Sequence, residues 1–310
     1  MSGSPNTRQR PFIEDYDEFS RQFLAREDCL ILIGQLNQLM KAVQRHRGIS
    51  MGMLAGNTEF RNEFSALQRQ TERRLATLEA FARANQLLSA REKENLSLAW
   101  QTICSNWEDD TLNDNFELHS HFIEQLLSMT NGLIKKLEAP SIPPLASDLS
   151  TQALLASSSG ARVFQQLEIL SFVGKLLPET IEQVARIRGT AVYAAALSST
   201  EGLDERKLRF WVSSLAKHSE KLRGQADALA RELAGLMPKL ALIRKNELQL
   251  LQFLNTVETA VFVGKGGLEE AQRLFNMATD VIEVYWDVVN EGLAIIRDWH
   301  RQDLEAWVRL

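Results

Sequence analysis

Apolar residues recur in this chain at three- and four-residue steps almost from end to end, and that one period restricts it to helices. Alternating β-branched runs joined by Asn-Gly or Asp-Gly turns, the mark of hairpins, do not occur. The spacing predicts helices over about residues 15–56, 58–86, 89–106 and 113–138, broken at "GNT", "LSARE" and "EDDTLND". Then comes "EAPSIPPLASD", where Pro140, Pro143 and Pro144 remove backbone donors and restrict their neighbours, so a connector is expected. The helical pattern resumes over about 150–176, kinks at Pro178 and continues to about Ser199. Three further helices follow, over about 203–235, 238–262 and 267–309. The expected fold is all-α: a first up-down four-helix bundle (1–138), a Pro-rich linker (139–149) and a second four-helix bundle (150–310) as a pseudo-repeat.

The two halves share more than helix number. "QRHRGISMGML" (Gln44–Leu54) is echoed by "VARIRGTAVYAAAL" (Val184–Leu197), each with Arg-x-Arg-Gly in the last turns of the first helix of its half. Arg47 interrupts a stripe of Leu32, Leu36, Leu39, Met40 and Val43 that resumes at Met51 and Leu54. Arg188 interrupts Leu177, Ile181, Val184, Ala191, Val192 and Ala195 in the same way. Arg45 and Arg186 point about 200° away and read as solvated, with Glu182 and Arg186 forming an i,i+4 ion pair.

A guanidinium cannot shed its proton, and an unpaired one in a dry interior costs several kcal/mol, so each inward arginine needs an anion. A carboxylate from a neighbouring helix would make a structural salt bridge. The alternative is a small anion from solution. Repetition favours the second, as do the small residues around both arginines: Gly48, Ser50, Gly52, Ala55 and Gly56, then Gly189, Thr190, Ala191 and Ala194 to Ala196. A flat fork of donors matches a planar oxyanion such as a carboxylate, nitrate or nitrite. The candidate ligand-binding residues are therefore Arg47, Arg188, Ser50 and Met51. Arg244 joins them because Leu240, Leu248 and Leu251 bracket it at helical spacing. No metal site and no cofactor is expected.

The pattern Gln44, Arg47, Gly48, Ser50, Gly52, Leu54 resembles the signature helix of the nitrate- and nitrite-sensing (NIT) domain family, written Q-x-x-RG-x-S-x-G-x-L. The likeness is specific over some fifteen residues and architectural elsewhere. It implies a cytoplasmic receptor that binds nitrate or nitrite between two four-helix bundles and acts in signal transduction for nitrate assimilation. His46 departs from that pattern, in which Glu is frequent. Family members are commonly joined to an RNA-binding, kinase, cyclase or chemoreceptor module. Here residues 266–310 carry four Arg against nine Asp and Glu, which fits no RNA-binding tail, so a separate output protein is expected as partner.

Composition narrows the alternatives. A formal charge of −5 with no basic tract argues against direct nucleic-acid binding. No run approaches a membrane span, and the N-terminus lacks a signal peptide's apolar core, so a cytoplasmic, non-membrane protein is expected. Cys29 and Cys104 should be free thiols. Two other readings stand beside the sensor: a histidine phosphotransfer protein using His218 of "AKHSEKLRG", and a structural or interaction bundle with buried salt bridges. An enzyme is not expected, because "ELHSHFIEQ" offers His119, His121 and Glu124 without the repeated Glu-x-x-His of carboxylate-bridged metal bundles. Trp286, Trp299 and Trp307 along the last helix could form an output surface or a dimer face, leaving a homodimer open.

Overall fold

The computed structural model describes residues 9–138 and 162–308, and the described chain is helical with no strand. Its helices are α1 (Gln9–Leu54), α2 (Arg61–Asn85), α3 (Ala90–Cys104), α4 (Leu112–Glu138), α5 (162–197), α6 (Glu205–Glu232), α7 (Ala241–Val257) and α8 (Leu268–Val308). The predicted linker 139–149 and the predicted start of the fifth helix near residue 150 lie outside the described residues, as does the side chain of Trp307.

Local chemistry sets the breaks. Ser89 begins α3 with a capping box: its hydroxyl accepts from the Glu92 N–H at 3.2 Å, and the Glu92 carboxylate accepts from the Ser89 N–H at 2.7 Å. Asp204 caps α6 by accepting from the Lys207 N–H at 3.1 Å. Pro178 does not break α5. A π-helical turn at Phe172–Leu176 precedes it, and the wider turn accommodates both the missing N–H and the ring.

α1 touches α2, α4, α5 and α8, while α5 touches α1, α4, α6 and α8. These two helices are therefore central and buried on most of their circumference; nearly every residue from Cys29 to Gly52 is buried or half-buried. The main hydrophobic cluster runs from Cys29 on α1 to Ile296 on α8, and a smaller one joins Met51, Leu112 and Phe116. α2, α3, α6 and α7 are peripheral, each burying one stripe, such as Leu208, Val212, Leu215, Leu222 and Leu229 on α6. Cys29 and Cys104 are both free.

The connection from α7 to α8 closes against α5. Gly267, at φ +141°, donates its N–H to the Ala195 carbonyl at 2.6 Å. A Cβ on Gly266 would lie 2.5 Å from that same oxygen. No helix among the described residues is long and apolar enough to cross a membrane.

Candidate functional site

Because α1 and α5 are central, every polar residue of "QRHRGIS" but Arg45, which reaches the rim, is turned inward. Gln44, His46, Arg47 and Ser50 are all buried. They meet Asn115, His119 and Ser120 from α4 and Glu182 and Arg188 from α5, and Arg188 in turn meets Thr279 from α8. The two Arg-Gly pairs lie back to back at the crossing of α1 and α5. A Cβ on Gly48 would come within 3.1 Å of Arg188 Nε, and one on Gly189 would lie 4.0 Å from Arg47 Cγ and 2.7 Å from Met51 Sδ. Each glycine thus makes room for side chains of the other motif.

The two arginines differ in what they meet. Arg47, fully buried, donates from Nη1 to Glu182 Oε1 at 2.8 Å and to Ser120 Oγ at 2.9 Å, and from Nη2 to Glu182 Oε2 at 3.1 Å. Its guanidinium lies 5.2 Å from the centre of the Phe116 ring. The expectation that Arg47 awaits a guest is corrected on this point: a resident carboxylate already holds it in a bidentate fork.

That carboxylate is unusually well supplied. Glu182 also accepts from Gln44 Nε2 at 3.0 Å and from Arg186 Nε at 2.7 Å. Burial alone would raise its pKa, but Arg47 and Arg186 overcome this and hold it below the usual carboxylate value. Arg186 passes its outer end to Glu124 at 2.8 Å, at the half-exposed rim.

Arg188 has no carboxylate. Its Nη2 donates to the Gln44 backbone carbonyl at 2.6 Å, its Nη1 to Thr279 Oγ1 at 3.1 Å, and its plane faces Phe275 at 5.0 Å. Its Nε, like that of Arg47, has no partner. It is only 2% exposed. Burial, with Arg47 and Arg45 beside it, pushes its pKa down to about 9, so it still carries its charge at neutral pH. The nearest acids acting on it, Glu182 and Glu283, are each bonded to other cations, Arg47 and Arg186 in one case and Lys41 in the other.

A second network extends from the same helix into the α2–α4 side. His119 donates its Nδ1–H to the Asn115 carbonyl at 2.7 Å, which leaves Nε2 to accept from His46 Nδ1–H, also at 2.7 Å. His46 stacks on Phe64 at 4.4 Å and meets the edge of Trp100 at 5.0 Å, and its Nε2 has no partner. Burial drives His119 down to about 3, and burial together with His119 drives His46 well below the ordinary histidine value. Both rings are neutral.

Ser50 lies at this junction, its hydroxyl within reach of Asn115 Oδ1 at 2.7 Å and the Arg47 carbonyl at 3.0 Å. Met51 is buried and borders a cleft of about 170 Å³ with Phe116, Thr190, Lys207 and Trp211. Arg244 is not at the site. Its side chain is 72% exposed and pairs with Asp227 at 2.9 Å. The buried stripe of α7 runs through Ile243, Asn246, Glu247, Leu250, Phe253 and Val257, one position away from the Leu240–Leu248 line that bracketed Arg244. His218 is half-buried with Nε2 3.2 Å from Thr180 Oγ1. No group of three metal-ligating side chains occurs among the described residues.

Glu182 is the residue missed in sequence. Its i,i+4 spacing to Arg186 reads as a surface pair if α5 has one buried face, whereas α5 is buried on several. His46 paired with His119 was equally hidden, since no spacing links residues on two different helices. No protein-family model, no curated protein and no solved structure matches this chain.

Proposed function

We propose that this chain is a receptor for a small monovalent oxyanion of the nitrate and nitrite class, built as two four-helix bundles in pseudo-repeat and acting on a separate partner protein. The observation that carries the reading is Arg188: a guanidinium 2% exposed that meets one carbonyl, one hydroxyl and an aromatic face, and no carboxylate. A buried cation left in that state is costly, and an anion seated against it recovers the cost. Gln44 and Arg47 adjoin it, with the Gln44 amide and the Arg47 fork already given to Glu182. A planar monoanion suits a guanidinium whose Nε has no partner and whose fork meets only neutral acceptors. Ligand at this crossing would favour one packing of α1 against α5, which is how binding would reach a partner.

The test is thermal unfolding with rising nitrate or nitrite at constant ionic strength, for the wild type and for Arg188→Met. The wild type should gain several degrees at millimolar anion, and the variant should gain none. Equal curves for both proteins would remove the proposal. A purely structural bundle is the second reading, favoured by the bidentate Arg47–Glu182 pair; it predicts no anion-specific shift in either protein. Phosphotransfer through His218 has less support, because its Nε2 is engaged by Thr180.

A further inference from the structure

The duplicated motifs allow a charge comparison across the crossing. Glu182 lies six residues before Arg188, and Lys41 lies six residues before Arg47. Glu182 reaches across to Arg47, whereas Lys41 is bonded to Glu283 of α8. So the position that supplies a carboxylate to one arginine supplies a cation in the other half. The fully enclosed set is Arg47, Arg188 and Glu182: two positive charges, one negative, one charge unbalanced. The other charged groups nearby close on one another at the rim, Arg45 with Glu63, Lys41 with Glu283, and the outer end of Arg186 with Glu124.

We propose that Glu182 sets the valence of the anion this crossing accepts. This rests on the receptor reading above and adds to it the residue that decides charge selectivity. With Glu182 in place the enclosed set lacks a single negative charge, and a monoanion completes it. A divalent oxyanion such as sulfate would overfill it and meet the Glu182 carboxylate as a like charge. Glu182 already occupies the Arg47 fork, the Gln44 amide and Arg186 Nε, the donors an oxyanion would otherwise take. It is the protein's own anion, and it leaves one further place.

Two variants test this in opposite directions. Glu182→Gln keeps shape and removes the charge; Thr279→Asp puts a carboxylate where Arg188 Nη1 now meets a hydroxyl. Thermal shift and isothermal titration are run with sodium nitrate and sodium sulfate, balanced with gluconate. In Glu182→Gln the half-saturating sulfate concentration should fall at least tenfold relative to wild type. Thr279→Asp should lose the nitrate response while retaining wild-type far-ultraviolet helicity. An unchanged nitrate-to-sulfate ratio in Glu182→Gln, or a wild-type nitrate response in Thr279→Asp, overturns the assignment. Should Glu182→Gln not fold, Glu182→Met is titrated in its place with the same tenfold fall expected, since Thr279→Asp tests the seat on Arg188 and not the role of Glu182. If the wild type answers neither anion but Glu182→Gln answers sulfate, the role of Glu182 stands and the nitrate reading falls. If none of the proteins answers either anion, both fall.

Discussion

Arg47 and Arg188 share a motif and are both enclosed, yet the consequences of losing them should be opposite. Removing Arg47 strands Glu182 in the interior with only Arg186 and Gln44 to hold it. Breaking a buried pair in this way costs about 3–5 kcal/mol, so Arg47→Met should lower the urea midpoint strongly. Arg188→Met removes a cation that has no counter-ion, and its acceptors, a helix carbonyl and a hydroxyl, remain served locally. That variant should match or exceed the wild type in stability without added anion. Equal destabilisation by the two substitutions would show that Arg188 is paired in a manner not seen here. The sequence made both arginines visible, because charge in an apolar stripe stands out. It hid the difference between them, since that depends on Glu182 lying across an interhelical contact.

Between elements, the decisive contacts are those where a backbone has no space to yield. A Cβ at Gly48 would press on Arg188 Nε and on Phe275, each at 3.1 Å. Helix propensity favours alanine there by about 1 kcal/mol. Because Phe275 is packed and Arg188 is tethered to Gln44, Gly48→Ala should still be destabilising and should blunt any anion response. At Gly266 the obstacle is the Ala195 carbonyl at 2.5 Å, which cannot swing aside, so Gly266→Ala should cost more, on the order of 2–3 kcal/mol. A chemical-denaturation series comparing the two checks the order; the reverse order would mean that the loop closing on α5 is softer than its contacts. Helix positions were legible from period and caps, as at Ser89 and Glu92, whose box begins α3 where expected. The π-helical turn before Pro178 was not, because proline signals a break and only packing tells how the helix absorbs it.

For the molecule as a whole, the buried histidines tie stability to pH. His119 at about 3, and His46 also lowered, stay neutral in the folded state, while in the unfolded chain both return to about 6.5. Below that value the unfolded chain takes up protons that the folded one refuses, so stability is intact above pH 6.5 and lost as pH falls toward the folded value. Each ring contributes about 1.4 kcal/mol per pH unit. Urea midpoints measured from pH 8 to pH 5 should be flat and then decline, and the double variant His46→Leu, His119→Leu should decline far less. Parallel curves would rule out this pair as the cause. Fold class followed from one repeated period, whereas Arg244 shows its limit: with several leucines on α7, the wrong line of them can be chosen. The claim beneath all of this is that Arg188 holds an unmatched charge for a solution anion. A crystal grown in nitrate tests it most directly. A flat three-oxygen ion is expected at the crossing of α1 and α5, with an oxygen about 2.7–2.9 Å from the Arg188 guanidinium. A protein carboxylate bonded to Arg188 in its stead, with nitrate absent from the crossing, would contradict it.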